Sequence, residues 1–321
     1  MVGRTRIVAT FAPKMKKMQK IVVAGATGNL GQRLVFALLE KGANVRVIVR
    51  ASSDPEKWKQ LEKAGAEVLI VNMDSLEAMT DACEGAACVV SALSGLREVI
   101  VDTQKVLLDA TVAAGVPRFI PSDFSLDFTG LPAGNNRNLD WRREFRSYLD
   151  KAPIAPTTIF NGAFADMLTG QMPLILFKLN RVLSWGNADQ RMDFTTIQDT
   201  AVFTAHAALD PSTPRFLRIA GDQLSARELA VIAGAVTGKK FGLLRPGSLN
   251  RLDTMIKVAR FFSAGEQELY PAWQGMQYMR NMLDGRAAMQ RLDNDRYPNM
   301  HWTRASEVLS KHLADSSASA I

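Results

Sequence analysis

The fold is decided by residues 20–31, which read KIVVAGATGNLG. Ile21–Ala24 is a continuous apolar run, which is typical of a parallel strand buried on both faces of a sheet. Three glycines follow at the spacing G-x-x-G-x-x-G, at positions 25, 28 and 31. Apolar residues then recur at helical intervals: Leu30, Leu34, Ala37 and Leu38. The segment therefore predicts a strand, a tight turn and a helix in succession.

The glycine turn has the chemistry of a phosphate-binding loop. In such loops the first glycine permits the bend, the second lets the backbone approach a pyrophosphate, and the third lets the helix pack against the sheet. The start of the helix adds free N–H groups and the positive end of a dipole, which attract anions. Because the glycines lie at the junction of a β-α-β unit, they favour a dinucleotide site over a purely structural turn. The residues expected to hold the dinucleotide here are Gly25, Thr27, Gly28, Asn29, Leu30 and Gly31.

The alternation of strands and helices continues to about residue 162. Further strands are predicted at Val45–Val49, Glu67–Val71, Ala87–Ala92, Arg118–Pro121 and Thr157–Phe160. Such alternation predicts an α/β fold with a doubly wound parallel sheet, here an NAD(P)-binding Rossmann domain over residues 20–162. We expect a smaller C-terminal α+β lobe over residues 163–315, which can be interleaved with the first domain. Residues 1–19 are expected to form a basic tail and residues 316–321 a frayed one.

The composition is that of an ordinary globular protein. With 321 residues, of which 47% are hydrophobic and 22% charged, the chain is excluded from the disordered, collagen-like and coiled-coil classes. No apolar run approaches the ~18–20 residues that cross a bilayer, so we expect no membrane partner. Cys83 and Cys88 are too few for a disulfide scaffold, and no His or Cys cluster has metal-ligand spacing. We therefore expect a reducing, cytoplasmic location and no metal.

The net charge of +7 is concentrated near the N-terminus. Six of the 39 basic residues and none of the 32 acidic ones lie within residues 1–20, which leaves 33 basic against 32 acidic residues in the remainder. Because a DNA-binding body would carry its own basic stripe, we expect no direct nucleic-acid binding. The basic segment has three interpretations: an upstream start codon with Met15 or Met18 as the true start, a solvated tail, or a weak organelle-targeting segment.

The end of the second strand indicates which dinucleotide binds. A carboxylate there would accept a hydrogen bond from the ribose 2′-hydroxyl of NAD and would repel a 2′-phosphate. The chain instead has Arg50, followed by Ser52 and Ser53, and these side chains suit a 2′-phosphate through charge-assisted hydrogen bonds. We therefore expect NADP(H), unless Arg50 is only a solvated surface residue.

Two further strand ends complete the predicted cofactor site. Asp74, after the third strand, either contacts the adenine or caps the helix beside Ser75. After the fourth strand, the short stretch Ala92, Leu93 and Ser94 is expected to let the ribose of the cofactor lie on the strand edge.

With these features the chain resembles the NmrA-like and isoflavone-reductase-like group of atypical short-chain dehydrogenases/reductases. The resemblance rests on the glycine turn, on Arg50, on VPRFIPSDF at residues 116–124 and on Asn161–Phe164, and it is specific over about residues 20–165. It implies a Rossmann domain, bound NADP(H), a substrate cleft under the C-terminal lobe, and Asn161 near the nicotinamide. The group contains reductases of plant phenolics, other NADPH-dependent reductases and dinucleotide-sensing regulators, so it does not imply one activity.

The sequence lacks the usual catalytic pair of short-chain dehydrogenases, Tyr-x-x-x-Lys. The residues four positions after its tyrosines are Ala152, Gln274, Met282 and His301. The resemblance implies instead a lysine at the start of the helix before strand six, where this chain has Arg142 or Arg143. Because arginine stays protonated, it can stabilise an oxyanion but is a poor proton donor. Arg142 is thus a candidate active-site residue, or else it pairs with Glu144, Asp140 or solvent.

The carboxyl end of strand five supplies another candidate, because ligands of open α/β sheets bind at that edge. Ser122 is expected to bond the nicotinamide or a substrate oxygen, or to be a turn residue after Pro121. Asp123 is either a base or the cap of a local turn. The irregular segment 124–139 is either a lid over the nicotinamide end or a tolerated insertion.

Two functions are consistent with these residues. The first is an NADPH-dependent reductase of a small apolar or aromatic carbonyl or enone compound, with Ser122 and Arg142 as catalytic candidates. The alternative is a regulator that senses NADP(H) and binds a partner protein without turnover, which the missing Tyr-Lys pair favours. A closed apolar cleft would favour the enzyme, whereas an exposed apolar patch would favour the regulator. We expect a monomer or a homodimer.

Overall fold

The structure, a computed structural model, describes residues 18–170, 172–263 and 265–318. The α-helices of this part of the chain are α1 (Asn29–Glu40), α2 (Pro55–Lys63), α3 (Leu76–Cys83), α4 (Gln104–Ala113), α5 (Arg137–Leu149), α6 (Ile197–Leu209), α7 (Ala226–Thr237), α8 (Leu249–Phe261), α9 (Ala272–Leu283) and α10 (Ala305–Ala318). A π-helical turn, Glu98–Thr103, precedes α4. Short 3-10 helices lie at Ala165–Thr169, Phe177–Leu179, Gly265–Gln267 and Asn294–Arg296.

The strands of the same residues belong to one large sheet and several small ones. They are β1 (Lys20–Ala24), β2 (Asn44–Val49), β3 (Glu67–Ile70), β4 (Cys88–Ser91), β5 (Arg118–Ile120), β6 (Ala155–Pro156), β7 (Thr158–Phe160), β8 (Ala163–Phe164), β9 (Ile175–Leu176), β10 (Arg181–Trp185), β11 (Met192–Thr195), β12 (Phe216–Arg218), β13 (Asp222–Leu224) and β14 (Gly242–Gly247). Most of the expected basic tail, residues 1–17, lies outside the described residues, as do residues 319–321 of the expected C-terminal tail.

The predicted doubly wound sheet is confirmed. β1 to β6 form one parallel sheet in the order β3-β2-β1-β4-β5-β6, which is the strand order of a Rossmann domain. β7 follows β6 after a single residue and pairs in parallel with β12, so the sheet is continued at that edge. The strand order reverses beside β1, and the carboxyl ends of β1 and β4 therefore flank the crevice in which such sheets bind ligands.

The local signals in the sequence account for these elements. Ile21–Ala24 in β1 is completely buried, as expected for an apolar strand covered on both faces. α2 and α3 begin at capping residues whose side chains suit that position: Asp54 accepts a hydrogen bond from the Glu56 N–H, and Ser75 accepts one from the Ala78 N–H.

The chain beyond residue 162 returns to the Rossmann sheet before it builds the lobe. α6 packs against α1, and β12 pairs with β7. The buried Arg118 of β5 donates to the carbonyl oxygens of Ala207 and Ala208 at the end of α6 and to the Thr213 hydroxyl. These bonds place a positive charge on the last carbonyl groups of α6, where the helix dipole favours it. The segment 163–315 thus contributes to both parts of the fold.

The C-terminal lobe combines two three-stranded sheets, β13-β11-β8 and β14-β10-β9, with helices α7 to α10. α7 opens with a capping box, in which Ser225 and Glu228 each bond the backbone of the other. Large side chains of both sheets and of α9 form its core, among them Trp185, Phe194, Met279 and Met282. Part of the irregular segment after β5 also belongs to this core, because Leu126, Phe128 and Leu131 are buried in it. This half of the segment is therefore packed core rather than a free lid.

The remaining compositional features can be located in the described part of the chain. Cys83 and Cys88 are buried and form no disulfide, and burial raises the pKa of these thiols to about 11 and about 12. Among the described residues, no helix is both long and apolar enough to cross a bilayer.

Candidate functional site

A cleft of about 740 Å³ lies at the carboxyl ends of β1 to β4. It is bounded by the glycine turn after β1, by the ends of β2 and β3, and by the residues that follow β4. Ten residues predicted from the sequence line it: Gly25, Thr27, Gly28, Arg50, Ser52, Ser53, Asp74, Ala92, Leu93 and Ser94. The fold therefore brings together residues that are separated by up to about seventy positions in the chain, at the edge where open α/β sheets bind ligands.

Two glycines of the turn are required by packing, and one faces open space. Gly25 has a φ of +80°, and a Cβ on it would lie 2.5 Å from the carbonyl oxygen of Ala92. A Cβ on Gly31 would collide with the carbonyl oxygen of Gly25. A Cβ on Gly28 would meet only that oxygen, at 3.4 Å, which is an ordinary contact. The backbone at Gly28 is thus open to a ligand, as a pyrophosphate site requires.

The first turn of α1 adds an uncapped helix N-terminus to this cradle. No side chain bonds the first N–H groups of α1, whose N-cap is Gly28, whereas Asp54 and Ser75 cap α2 and α3. The first turn of α1 also carries no acidic residue. The unsatisfied N–H groups and the positive end of the helix dipole therefore remain for an anion. This local geometry fits the pyrophosphate of a dinucleotide.

Arg50 and Ser53 form the rim of the cleft at the end of β2. The Arg50 N–H donates to Ser53 Oγ over 3.2 Å, and the Ser53 N–H donates to the Arg50 carbonyl oxygen over 2.9 Å. The Arg50 side chain is exposed, and none of the ion pairs between described residues involves it. An unengaged guanidinium beside a serine hydroxyl has the donors that a phosphate monoester accepts.

Asp74 is exposed at the same rim, and its N–H donates to Asn72 Oδ1 over 3.1 Å. Because Ser75 caps α3, the alternative in which Asp74 is the cap is excluded. Further lining residues were not foreseen from the sequence: Ile48, Val49, Ala51, Ile70, Val71, Asn72, Met73, Val99 and Thr103. Asn72 could have been predicted, because it follows the predicted third strand directly. Val99 and Thr103 could not, because they belong to a π-helical turn that no local pattern indicates.

Five of the residues predicted to bind the cofactor do not line the cleft: Asn29, Leu30, Gly31, Ser122 and Asn161. The Asn29 side chain accepts a hydrogen bond from Arg33 Nε over 2.9 Å, and Leu30 packs against the core of the sheet. Gly31 lies against Gly25. The side chains in this turn are thus engaged by the fold, and what α1 can offer a ligand is the backbone N–H groups of its first turn.

Ser122 connects the end of β5 to the end of β4. Its hydroxyl donates to the carbonyl oxygen of Leu93 over 2.5 Å, and its N–H donates to Gln104 Oε1 over 2.8 Å. Since Leu93 lines the cleft, Ser122 lies directly behind the cleft wall. The hydroxyl proton is engaged in the fold, so that only the lone pairs of the oxygen are available to a ligand.

Asn161, directly after β7, is fully buried, and its side-chain amide has no hydrogen-bond partner among the described residues. Its backbone is fixed by two contacts: its N–H donates to the Ser125 carbonyl oxygen over 3.1 Å, and its carbonyl oxygen accepts from the Thr195 hydroxyl over 2.7 Å. A buried amide without partners is costly. Asn161 is therefore a group that a ligand or a water molecule would satisfy.

A buried carboxylate lies next to Ser122. Asp123 Oδ2 accepts a hydrogen bond from the Thr158 hydroxyl over 3.0 Å, while Oδ1 has no partner among the described residues. The side chain therefore does not cap the local turn, and that alternative is excluded. Burial raises the pKa of Asp123 to about 6, and the nearby charge of Arg142 acts in the opposite direction.

Arg142, on α5, is buried rather than solvated, with 8% of its surface exposed. Its Nη1 donates to the Asn138 carbonyl oxygen over 3.0 Å, and its Nε has no partner among the described residues. Its charge acts on Asp123 and on the phenol of Tyr278, which lies on α9. Arg142 is thus an interior cation between the sheet edge and the C-terminal lobe.

The carboxylates considered as partners of Arg142 are engaged elsewhere. Asp140 pairs with Arg143 over 2.6 Å, and Glu144 pairs with Arg97. The alternatives in which Arg142 is solvated or pairs with one of these two carboxylates are therefore wrong.

Comparisons with known sequences identify the family. The sequence profile of the NmrA-like family matches residues 17–248, which is more than two thirds of the chain. Bifunctional pinoresinol-lariciresinol reductase 2 of Thuja plicata is 26% identical over 286 residues, which cover 84% of this chain and 88% of that protein. Isoflavone reductase homolog IRL of Zea mays is 30% identical over 236 residues, which cover 69% of this chain and 75% of that protein.

A solved structure has the same fold. AtPrR2 in complex with NADP+ and (+)-pinoresinol superposes with a TM-score of 0.78 at 24% identity, over 92% of this chain and 99% of that one. The likeness extends through both the Rossmann sheet and the C-terminal lobe. Matched by the family profile over most of its length, and 30% identical to a curated relative over three quarters of that relative, this chain belongs to the NmrA-like family.

Proposed function

We propose that this protein is an NADPH-dependent reductase of a small apolar or aromatic carbonyl or enone compound. The observation that carries this assignment is Arg50, an exposed guanidinium that forms no ion pair with the described residues and stands at the rim of the glycine-turn cleft. An arginine at this strand end favours the 2′-phosphate of NADP(H) over the free hydroxyl of NAD(H). The relatives support the same chemistry, because one is named a reductase and AtPrR2 holds NADP+.

Each part of the cleft has a separate task in this function. Gly25, Gly28 and the first turn of α1 bind the pyrophosphate, Arg50 and Ser53 bind the 2′-phosphate, Thr27 and Asp74 contact the adenosine half, and Ala92, Leu93 and Ser94 support the ribose. When bound, NADPH supplies a hydride to the substrate. The chain's own residues position that group, exclude water and stabilise the charge that develops on the substrate oxygen.

The substrate is expected at the ends of β5 and β7, beside the C-terminal lobe. Ser122 and Asn161 lie at these strand ends, and the Asn161 amide lacks a partner among the described residues. The core of the lobe is aromatic and methionine-rich, and the buried Arg142 acts on Tyr278, which packs against that core. A largely apolar environment with a few convergent polar groups is typical of sites for small molecules. It supports an apolar or aromatic substrate that gains negative charge during reduction.

The alternative of a dinucleotide-sensing regulator is favoured only by the missing Tyr-x-x-x-Lys pair. Both curated relatives named above are called reductases or reductase homologues. We therefore retain the regulator only as an outcome of the experiment.

Enzyme-dependent oxidation of NADPH, followed by its absorbance, tests the reductase. The probes are menadione, acetophenone, chalcone and pinoresinol, which represent a quinone, an aryl ketone, an enone and the ligand of AtPrR2. We expect turnover with at least one carbonyl or enone probe. Tight NADPH binding without turnover of any probe would overturn the reductase and favour the regulator. Absence of NADPH binding would overturn the cofactor assignment as well.

A further inference from the structure

The π-helical turn Glu98–Thr103, between β4 and α4, forms part of the wall of the cofactor cleft. Val99 and Thr103 of this turn line the cleft. A π-helical turn contains one residue more than an α-helical turn, and such turns are rare and often found at functional sites. The position of Val99 in the wall therefore depends on a backbone register that differs from that of the α-helix which follows it.

The side chain of Gln104, the first residue of α4, bridges this turn and the end of β5. It is fully buried. Its Nε2 donates to the Ile100 carbonyl oxygen over 2.9 Å, and its Oε1 accepts from the Ser122 N–H over 2.8 Å. In an α-helix the Ile100 carbonyl oxygen would accept from the main-chain N–H of Gln104, four residues later. Here that N–H bonds the carbonyl oxygens of Val99 and Val101 instead, and the side chain supplies the donor to Ile100.

We propose that Gln104 is a positioning residue of the cofactor cleft. Its amide keeps the preceding turn in the π register and keeps Ser122 in place, and it thereby fixes two segments of the cleft wall. Gln104 does not line the cleft itself, so that it acts through the residues that do. The inference rests on the NADP(H) site of the proposed function, which it deepens by naming a residue that shapes this site from behind.

The first wall segment is reached through two successive hydrogen bonds. The Ser122 N–H is held by Gln104, and the Ser122 hydroxyl donates to the carbonyl oxygen of Leu93 over 2.5 Å. Leu93 lines the cleft. Without the Gln104 amide, the buried Ser122 N–H would lose its partner, which is costly enough for the end of β5 to move toward a new one. Leu93 would lose its fixed neighbour as a result.

The second wall segment is the turn itself. If the Gln104 amide is removed, the Ile100 carbonyl oxygen loses this donor. The turn can replace it by adopting the α register, in which the main-chain N–H of Gln104 returns to Ile100. That change removes one residue from the turn, and the residues before it rotate by about 100° around the helix axis, the angle between successive residues of an α-helix. Val99 would then leave the wall of the cleft.

A contact on the other side of Val99 also depends on its present position. Gly95 lies in the loop after β4, next to the cleft-lining Ser94, and packs against the Val99 side chain. A Cβ on Gly95 would lie 2.5 Å from Val99 Cγ2 and 2.6 Å from Val99 Cβ. Since the Cβ of Val99 is placed by the backbone, rotation of the side chain would not relieve this clash. Val99 is thus held between a residue that has no side chain and a turn that Gln104 fixes.

Another buried polar side chain of α4 provides a comparison. Thr111 is fully buried, and its hydroxyl donates to the Leu107 carbonyl oxygen of the same helix over 2.6 Å. It lies two turns further along α4 than Gln104 and does not line the cleft. Loss of either side chain's hydrogen bonds should destabilise the protein, because buried backbone groups are left unpaired. Only the loss at Gln104 should change the shape of the cleft.

Gln104→Leu removes both hydrogen bonds and leaves an apolar side chain of similar size. We expect the Kd for NADPH to rise by about 5–30-fold, the effect of displacing residues around a ligand that the mutated residue does not touch. Thr111→Val is the matched control, and its Kd should stay within about twofold of wild type although its stability falls. NADPH fluorescence titration and denaturant unfolding measure the two quantities. If Gln104→Leu binds NADPH as tightly as Thr111→Val does, the proposal is overturned.

A double-mutant cycle tests whether Gln104 acts through Val99. Val99→Ala removes part of the wall directly and should weaken NADPH binding by itself. If Gln104 acts by placing Val99, Gln104→Leu should do less harm in the Val99→Ala background, and the combined rise in Kd should be at least about twofold smaller than the product of the two single effects. Effects that multiply fully would mean that the two residues act independently, and would overturn the proposal.

These measurements separate failure of this proposal from failure of the proposed function. If the wild type binds NADPH and Gln104→Leu binds it equally well, the role of Gln104 is overturned and the cofactor assignment stands. If the wild type does not bind NADPH, the cofactor assignment fails and the role of Gln104 fails with it. Should Gln104→Leu not fold, Gly95→Ala displaces Val99 from the other side with Gln104 intact. We expect a similar rise in Kd from it, and unchanged NADPH affinity would overturn the proposal.

Discussion

The Ser122 hydroxyl donates a 2.5 Å hydrogen bond to the carbonyl oxygen of Leu93, and so joins the end of β5 to the end of β4. Leu93 lines the cleft assigned to the cofactor, and the neighbour of Ser122, Asp123, begins the buried group of charges that reaches Arg142. The proposed cofactor and substrate halves of the site therefore share one wall. A substitution that disturbs this hydrogen bond is therefore expected to affect both the cofactor half and the substrate half of the site.

The glycine turn offers a matched pair of substitutions. In Gly31→Ala the new methyl group collides with the Gly25 carbonyl oxygen, and we expect unfolding free energy to fall by about 1–3 kcal/mol. In Gly28→Ala the methyl group fits, so stability should change by less than about 1 kcal/mol. The methyl group would nevertheless occupy the approach to the backbone, and NADPH affinity should fall at least ~10-fold, or about 1.4 kcal/mol. Denaturant unfolding and NADPH fluorescence titration measure the two effects. Equal effects of both substitutions on folding and binding would contradict the separate roles of the glycines.

Arg50→Asp should reverse the preference between the two nicotinamide dinucleotides. Loss of the charge-assisted hydrogen bonds costs about 1.5–3 kcal/mol, so NADPH affinity should fall by about 10–100-fold, with repulsion by the new carboxylate adding to this. NADH lacks the 2′-phosphate and should bind within about twofold of wild type. The exposed Arg291→Asp is the charge-matched control and should bind both dinucleotides normally. If Arg50→Asp lowered the affinity for NADPH and for NADH equally, Arg50 would not bind the 2′-phosphate.

The buried carboxyl group of Asp123 makes the free energy of unfolding depend on pH. Because its pKa is raised from 3.8 to about 6 in the folded protein, the folded state binds the proton more tightly than the unfolded chain does. Its stabilising effect is present below about pH 4 and is lost as pH rises through 6, by about 3 kcal/mol. In Asp123→Asn this titration is absent. The difference in unfolding free energy, variant minus wild type, should therefore increase from pH 4 to pH 7.5.

Denaturant unfolding of the wild type and of Asp123→Asn at both pH values gives that difference, and it cancels the carboxyl groups common to both proteins. A difference that is constant with pH would mean that Asp123 titrates normally, with its carboxylate accessible to water.

Arg118→Met tests the junction between β5 and α6. The substitution leaves the carbonyl oxygens of Ala207 and Ala208 without their buried donor, and we expect a loss of about 2–4 kcal/mol in unfolding free energy. Arg227→Met is the comparison, because it breaks a pair with Asp189 that is exposed, and it should change stability by less than about 1 kcal/mol. If the two variants were equally stable, the return of α6 to the Rossmann sheet would not depend on Arg118.

The sequence predicts best those elements whose conformation depends on neighbouring residues and whose apolar pattern matches their burial. β1, the glycine turn, and the caps Asp54 and Ser75 could be read directly, because each rests on neighbouring residues. Arg50 could be placed at the cleft because the residue after a parallel strand must lie at the carboxyl edge of the sheet. The expected cofactor, NADP(H), follows from that position and agrees with the ligand of AtPrR2.

Contacts between segments that are far apart in the sequence could not be predicted from local patterns. α9 packs against the start of α5, where Asn281 accepts a hydrogen bond from Asn136, and no spacing in the sequence encodes that approach. Arg142 was open to a surface interpretation, since whether a charged helix residue is buried depends on what packs over it. The segment after β5 was read as irregular, yet part of it fills the core of the lobe through Phe128 and its neighbours. Tertiary packing decides each of these features.

Titration of the purified 321-residue chain with NADPH and with NADH, followed by fluorescence, tests whether the glycine-turn cleft is a site for NADP(H). We expect saturable NADPH binding that is at least ~10-fold tighter than NADH binding, or about 1.4 kcal/mol in favour of the 2′-phosphate. Arg50 and the glycine turn would then have the roles assigned to them, and the search for the reduced substrate would start from a holoenzyme. Failure to bind either dinucleotide, or equal affinity for both, would show that Arg50 and the glycine turn do not form an NADP(H) site.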